Sequence, residues 1–192
     1  MVSVASMSRQ VAAVGAGLVL ALCATLSVAG AYAAEPAAMQ LNSPAFVAGG
    51  EIPMVHTCEG ADTPPPLHWS NVPTGTRSLL LIVDDPDAPD PAAPRMTWVH
   101  WLLYELPPTA SGIAGGAAAL PLGTREGVND FKRRPYGGPC PPIGRHRYFF
   151  KLYALDSSLS TLTAPDKAAL VAASHDHVLA TAQLIGTYQK QP

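Results

Sequence analysis

Four aspartates, Asp84, Asp85, Asp87 and Asp90, follow directly on the apolar run 79–83, with Pro86 and Pro89 set among them. Each of these prolines lacks an amide donor and has a fixed φ, and each pushes the residue before it, Asp85 or Ala88, toward extended geometry. Such a corner is stiff, and an X-Pro bond within it can be cis. A carboxylate held in one place at the end of a buried strand can orient a histidine, accept a proton or offset a cation. Two histidines stand where they could meet it. His100 lies inside the apolar run WVHWLLYEL, and His146 follows the proline-rich lead-in GPCPPIGR at the start of the aromatic run YFFKLYALD. Strand alternation puts Trp98, His100 and Leu102 on one side and Val99, Trp101 and Leu103 on the other. It also pairs His146 with Tyr148, and Arg145 with Arg147. Taken singly, these signals are modest: most loop aspartates are solvated, and most strand histidines are satisfied core residues.

The elements that must position these side chains follow from composition and pattern. The chain has 192 residues, 48% of them apolar and only 14% charged, which favours a packed core over disorder. Its 20 prolines and 16 glycines argue against a helical bundle and suit short strands with shaped loops. A formal net charge of −2 gives no electrostatic case for a nucleic-acid partner, and none is expected. The runs TRSLLLIV, TWVHWLLYELP and YFFKLYALD read as strands, the first covered on both faces. MQLNSPAFVAGGEIP reads as a strand and a glycine turn, and alternation around Leu67 and Trp69 marks another strand. TASGIAGGAAALPLG reads as a surface connection, and the segment from Gly123 to the RHR at 145–147 as one long loop. Thr163 and Asp166 form a capping pair for a helix in PDKAALVAASHDHVLATAQLIG, broken near Ser174, before a short final strand in GTYQKQP. Strands come first and helix last. That order argues against a doubly wound sheet and indicates a β-sandwich-like domain with a small helical segment.

Residues 1–33 read as a signal peptide. Arg9 is the only charge before Glu35, the stretch 11–29 is apolar, and Ala31 and Ala33 make an A-x-A exit. Cleavage after Ala33 or one residue later leaves one domain, 34–192, in an exported protein, periplasmic or secreted. A retained membrane anchor is the other reading of this stretch. In an oxidising compartment Cys58 and Cys140 could pair, and two buried free thiols are the alternative.

The stretches DDPDAP, TWVHWLLYELP and YGGPCPPIGRHRYFFKLYALD resemble the phosphatidylethanolamine-binding protein family, and more closely its bacterial Raf-kinase-inhibitor-like branch. TCEGADTPPPLHWSNVP and HVLATAQLIGTYQK look like the same branch, so the likeness runs over about residues 41–190. The resemblance implies a mostly β fold, a large antiparallel sheet packed on a smaller one, with short C-terminal helices. It implies a ligand pocket built from Asp85, Asp87, His100, Gly138, Pro141, Pro142, His146 and Tyr148. The ligand implied is a small anion or a phosphorylated or zwitterionic head group such as phosphoethanolamine, free or on a phospholipid. No cofactor, metal or catalytic residue is implied. The chain departs from the branch at Lys132, where glycine usually follows N-D-F, and at His56, where an aromatic residue usually precedes T-C-E-G.

An acid in an anion pocket poses an electrostatic problem. Two like charges about 4 Å apart repel by roughly 4 kcal/mol at an effective dielectric near 20. Asp85 is therefore expected to hold one or both histidines in a donating form, or to accept a hydrogen bond from a protonated phosphate oxygen or an ammonium group. Affinity should then fall as pH rises through the histidine range. Two other functions compete with a non-catalytic binding module. A His/Asp enzyme could use Cys140 as nucleophile, but there is no G-x-S-x-G and no helix N-terminus to activate the thiol. An interaction protein could inhibit a protease or kinase through the pocket rim. A metal site is not expected: H-E-x-x-H and C-x-x-C spacings are absent, and His175 and His177 diverge if they lie on a helix.

Overall fold

The computed structural model describes residues 37–191. The signal-peptide reading of residues 1–33 lies outside the described residues. Strand β1 (Gln40–Asn42), β2 (Leu67–Ser70) and β5 (Gly112–Ile113) form a small antiparallel sheet in the order β1-β2-β5. The large sheet has the order β6-β4-β3-β7-β8, from β3 (Ser78–Asp85), β4 (Trp98–Leu106), β6 (Arg125–Glu126), β7 (His146–Leu155) and β8 (Val178–Tyr188). Every pairing in it is antiparallel. One helix, α1 (Lys167–Ser174), precedes β8.

Strand β3 is central and buried along all of its length, as its unbroken apolar run requires. Its alternate residues serve two cores. Leu79, Leu81 and Val83 join Phe150 and Leu152 of β7 and Leu41, Leu67, Trp69 and Ile113 of the small sheet. Leu80 and Ile82 face the other way, onto Leu159 and Leu170 of the helical segment. Each fully buried leucine or phenylalanine contributes about 2–3 kcal/mol of transfer free energy, so two covered faces hold β3 rigidly.

Two expectations change in the C-terminal quarter. The helix ends at Ser174, and the sequence VLATAQLIGTY continues as the eleven-residue strand β8 rather than as a second helical piece. It pairs with β7 from Val178 to Tyr188, and Ala180, Ala182 and Leu184 all point at the first core. That is a period of two, which the small residues blur into a helix-like pattern. The helix cap is Asp166 itself, whose Oδ1 accepts the Ala169 amide at 2.8 Å; Thr163 takes no part. The segments read as a surface connection and a long loop each contribute a two-residue strand, β5 and β6.

Candidate functional site

The four aspartates of the corner go to four different tasks. Asp84 points to the helical side, fully buried, with Lys151 Nζ at 2.7 Å and Lys167 Nζ at 2.6 Å. Asp85, one residue on, points to the opposite face. Its Oδ1 accepts the Asp87 amide at 2.8 Å and its Oδ2 meets His146 Nδ1 at 2.6 Å. Asp87 turns toward β7, where its carboxylate accepts the Arg147 amide (2.9 Å), Nε (2.9 Å) and Nη2 (2.6 Å). The Arg147 guanidinium holds the Asp87 carboxyl below the usual carboxylate range. Asp90 closes a turn by accepting the Ala92 amide at 2.9 Å. The Ala88–Pro89 bond is cis.

Position 100 is set by a β-bulge. Val83 pairs with Trp101 and Asp84 with Val99, so β4 spends one residue more than β3 on this step, and the extra residue is His100. Strict alternation is therefore broken. Trp101 and Leu103 do share the first core, but Leu102 lies with Val99 in the second, and His100 leaves Leu102 for the face that carries Asp85. The ladder interrupted there is repaired by the loop after β6. Asp130 Oδ2 accepts the Val99 amide at 2.8 Å, and the buried Asn129 donates to the carbonyls of His100 (3.1 Å) and Pro135 (2.8 Å).

Asp85, His100, His146 and Tyr148 then line one cavity of about 380 Å³. Its apolar walls come from Ala88 and Pro89 of the corner, Met96 and Trp98, Phe131, and the segment Cys140, Pro141 and Pro142. Sequence reasoning brought Asp85, His100, Pro141, Pro142, His146 and Tyr148 to this place, and the structure puts all six on the lining. Asp87 and Gly138 are not on it. Asp87 anchors the corner from behind through Arg147. Gly138 backs the wall: its amide donates to Asp62 Oδ1 at 2.6 Å, and a Cβ there would meet the His56 carbonyl at 2.4 Å. Met96, Trp98 and Phe131 were not anticipated. Trp98 is flagged only by its place two residues before His100, and loop residues such as Met96 and Phe131 carry no periodicity to betray them.

The polar floor is unequally satisfied. His146 has Asp85 on Nδ1 and the Ile143 carbonyl on Nε2 at 3.0 Å, so both of its ring nitrogens have partners. Asp85 touches only this histidine, not both. His100 Nδ1 faces the Gly137 carbonyl at 2.6 Å and must carry hydrogen there. Its Nε2 is buried with no partner, and so is the Tyr148 hydroxyl. The His100 ring meets the edges of Tyr148 and Phe131 at 5.2 and 5.6 Å. Burial pushes the His100 imidazole below the ordinary histidine range, against the pull of the Gly137 carbonyl and of Asp85. Burial also raises the Tyr148 phenol, which stays an O–H donor at every working pH.

These shifts have a consequence for acid stability. Below about pH 6.5 the unfolded chain protonates His100 while the folded chain resists it, so stability falls with pH by up to about 1.4 kcal/mol per unit. Asp87 adds a second loss below about pH 3.9, where the unfolded carboxyl takes up a proton first. Urea unfolding from pH 7.5 to 3 should show both stages. In His100→Gln the first stage should flatten; an unchanged slope in that variant would contradict the assignment.

Cys58 and Cys140 are paired, with Cα atoms 5.4 Å apart, so Cys140 offers the cavity a disulfide sulfur and no thiol nucleophile. Lys132 has φ of +60°, the left-handed conformation that glycine adopts freely, so a lysine here occupies a glycine-type turn beside Phe131. His56 is buried and its Nδ1 lies 3.0 Å from the Thr63 carbonyl, behind the wall. His175 closes α1, while His177 lies beyond it and meets Asp156 at 2.8 Å, so the two do not share a helix. Among the described residues, no three His, Cys, Asp or Glu side chains come together as metal ligands.

Two packed antiparallel sheets with a small, largely apolar cavity lined by acid, imidazole and phenol have the architecture of a binding protein. The match to the phosphatidylethanolamine-binding protein family spans residues 42–189. A UPF0098 protein of Chlamydia trachomatis is 43% identical over 152 residues, covering 79% of this chain and 99% of its own. One of Methanothermobacter thermautotrophicus is 43% identical over 155 residues, with the same coverage of both. Among solved structures, a phosphatidylethanolamine-binding protein homologue from C. trachomatis superposes with TM-score 0.74 at 43% identity, covering 80% of this chain and 99% of that one. YbcL of E. coli superposes with TM-score 0.72 at 32% identity, covering 81% and 100%. This chain belongs to the phosphatidylethanolamine-binding protein family.

Proposed function

We propose that the cavity binds the phosphoryl end of a small ligand, inorganic phosphate or a phosphomonoester such as phosphoethanolamine, without transforming it. The observation that carries this reading is a pair of buried, unpartnered polar atoms on two residues that line the cavity, His100 Nε2 and the Tyr148 hydroxyl. A buried polar atom without a partner loses about 1–3 kcal/mol, which a ligand returns by supplying the missing bond. The electrostatic objection to an acid in this place loses its force. Both Asp85 oxygens are already engaged, by the Asp87 amide and by His146, and these donors offset its charge. The apolar walls of Pro89, Met96, Trp98 and Phe131 suit the short carbon chain of an esterified head group.

Isothermal titration at pH 6 with inorganic phosphate and with O-phosphoethanolamine tests the proposal. Both should bind one to one, and Tyr148→Phe should weaken both by about tenfold through loss of one hydrogen bond. Absence of binding at roughly 10 mM ligand, an affinity worth less than about 3 kcal/mol, would refute it.

A further inference from the structure

We propose that His100 accepts a hydrogen bond from the bound ligand, so that the cavity selects oxyanions still carrying one proton over those carrying none. This rests on the phosphoryl reading of the cavity given above. The Gly137 carbonyl, 2.6 Å from Nδ1, fixes the hydrogen on that nitrogen and leaves Nε2 presenting a lone pair. His100 lines the cavity, and Nε2, the ring nitrogen that Gly137 does not hold, is buried and unpartnered. Tyr148, also unpartnered, supplies the complementary O–H. Two lining residues whose ring centroids lie 5.2 Å apart thus offer one acceptor and one donor.

A second proton on His100 would turn the acceptor into a donor, and the surroundings oppose it. The carboxylates that face the ring from each packed element are already engaged. On β3, Asp85 is bound to His146, and Asp84 is bound to Lys151 and Lys167 on the far side of the sheet. Beyond the wall, Asp62 is paired with Arg133 at 3.0 Å. From β7 the ring sees Tyr148 and His146, and from the loop Phe131 and the Gly137 carbonyl. None of these puts an acceptor on Nε2, so nothing except a ligand decides what that nitrogen meets.

A phosphate group with one P–O–H donates that hydrogen to His100 Nε2 and accepts from Tyr148 through an ionised oxygen. A fully ionised group sets its lone pair against that of Nε2 in a buried space. The ligand's last ionisation, near pH 6 for phosphomonoesters, then governs affinity. The fall with rising pH expected from sequence is retained, but its origin moves from the protein to the ligand.

Titration calorimetry of the full domain with phosphate, sulfate and methylphosphonate from pH 5 to 8 is the test. Sulfate carries no proton in this range and should bind phosphate's site at least about tenfold more weakly than phosphate at pH 5.5, the worth of one unmade hydrogen bond. The pH at which affinity is half lost should move upward with methylphosphonate, whose last proton leaves at higher pH than that of phosphate. Ring ¹⁵N shifts of His100 in the phosphate complex should report a neutral imidazole with hydrogen on Nδ1. Sulfate binding as tightly as phosphate, a midpoint common to both protonated ligands, or a doubly protonated His100 in the complex would each overturn the inference while leaving the phosphoryl site standing. Failure of phosphate to bind at any pH removes both.

Discussion

Asp85→Ala should destabilise the domain by about 3 kcal/mol and abolish phosphate binding, since it orphans two buried donors at once. Asp85 is 3% exposed, and its two oxygens serve the Asp87 amide and His146 Nδ1. Alanine leaves both donors unpaired in a corner that cannot relax, because Pro86 and Pro89 fix the chain on either side of Asp87. The effect then spreads. Asp87 is placed by that amide bond, and through it Arg147 ties the corner to β7. Asp85→Asn separates the contributions. The amide oxygen still accepts from Asp87, so the corner keeps its shape, while the NH₂ group confronts His146 Nδ1. The asparagine variant should therefore lose about 1–2 kcal/mol, clearly less than alanine. Urea unfolding of the two variants checks this. Equal and small losses, below about 1 kcal/mol, would show that the corner is held by its prolines alone.

This corner was the most legible part of the chain. A buried strand running into prolines and acids announces a rigid turn, and the family resemblance carried by DDPDAP, W-x-H and H-R-Y points to Asp85, His100, His146 and Tyr148, which line one cavity. What remained hidden has a common physical cause. The bulge at His100 leaves no trace in WVHWLLYEL because β4 is apolar on both faces; shifting alternation by one residue there exchanges one buried apolar side chain for another. Asp87 and Gly138 belong to the same motifs as the floor residues, yet their tasks depend on Arg147 and on the His56 carbonyl, partners remote in sequence. A motif places residues in a neighbourhood and does not say which side of the wall they stand on. The β8 segment is a strand that does not look like one in sequence, because its inward residues, Ala180 and Ala182, are too small to stamp a period on it. Phe131 and Met96 reach the cavity from loops, whose courses follow from turns such as the left-handed one at Lys132 rather than from any repeat.

The same wall makes the remaining large effect a matter of stability rather than recognition. The Cys58–Cys140 bond spans a sequence separation of 82 residues, which confines the unfolded chain strongly. Chain-entropy arguments give a long loop of this kind about 4.5 kcal/mol of stabilisation. Cys58→Ala/Cys140→Ala should therefore lower the melting temperature by about 10 °C in a domain of this size. Phosphate affinity well below the transition should change by less than about threefold, because the wall has other ties. The Cys58 amide donates to the Pro139 carbonyl at 3.1 Å, the Gly138 amide to Asp62 at 2.6 Å, and the Tyr136 hydroxyl to the His56 carbonyl at 2.9 Å. None of these needs a sulfur atom. Together they hold Gly137 against His100 and Pro141 and Pro142 at the rim after the crosslink is gone. Calorimetric melting and phosphate titration of the double variant decide the matter. A folded variant that has lost phosphate affinity would mean that the crosslink, and not these three bonds, sets the geometry of the cavity. An unchanged melting temperature would mean that residues 58–140 are already confined in the unfolded chain.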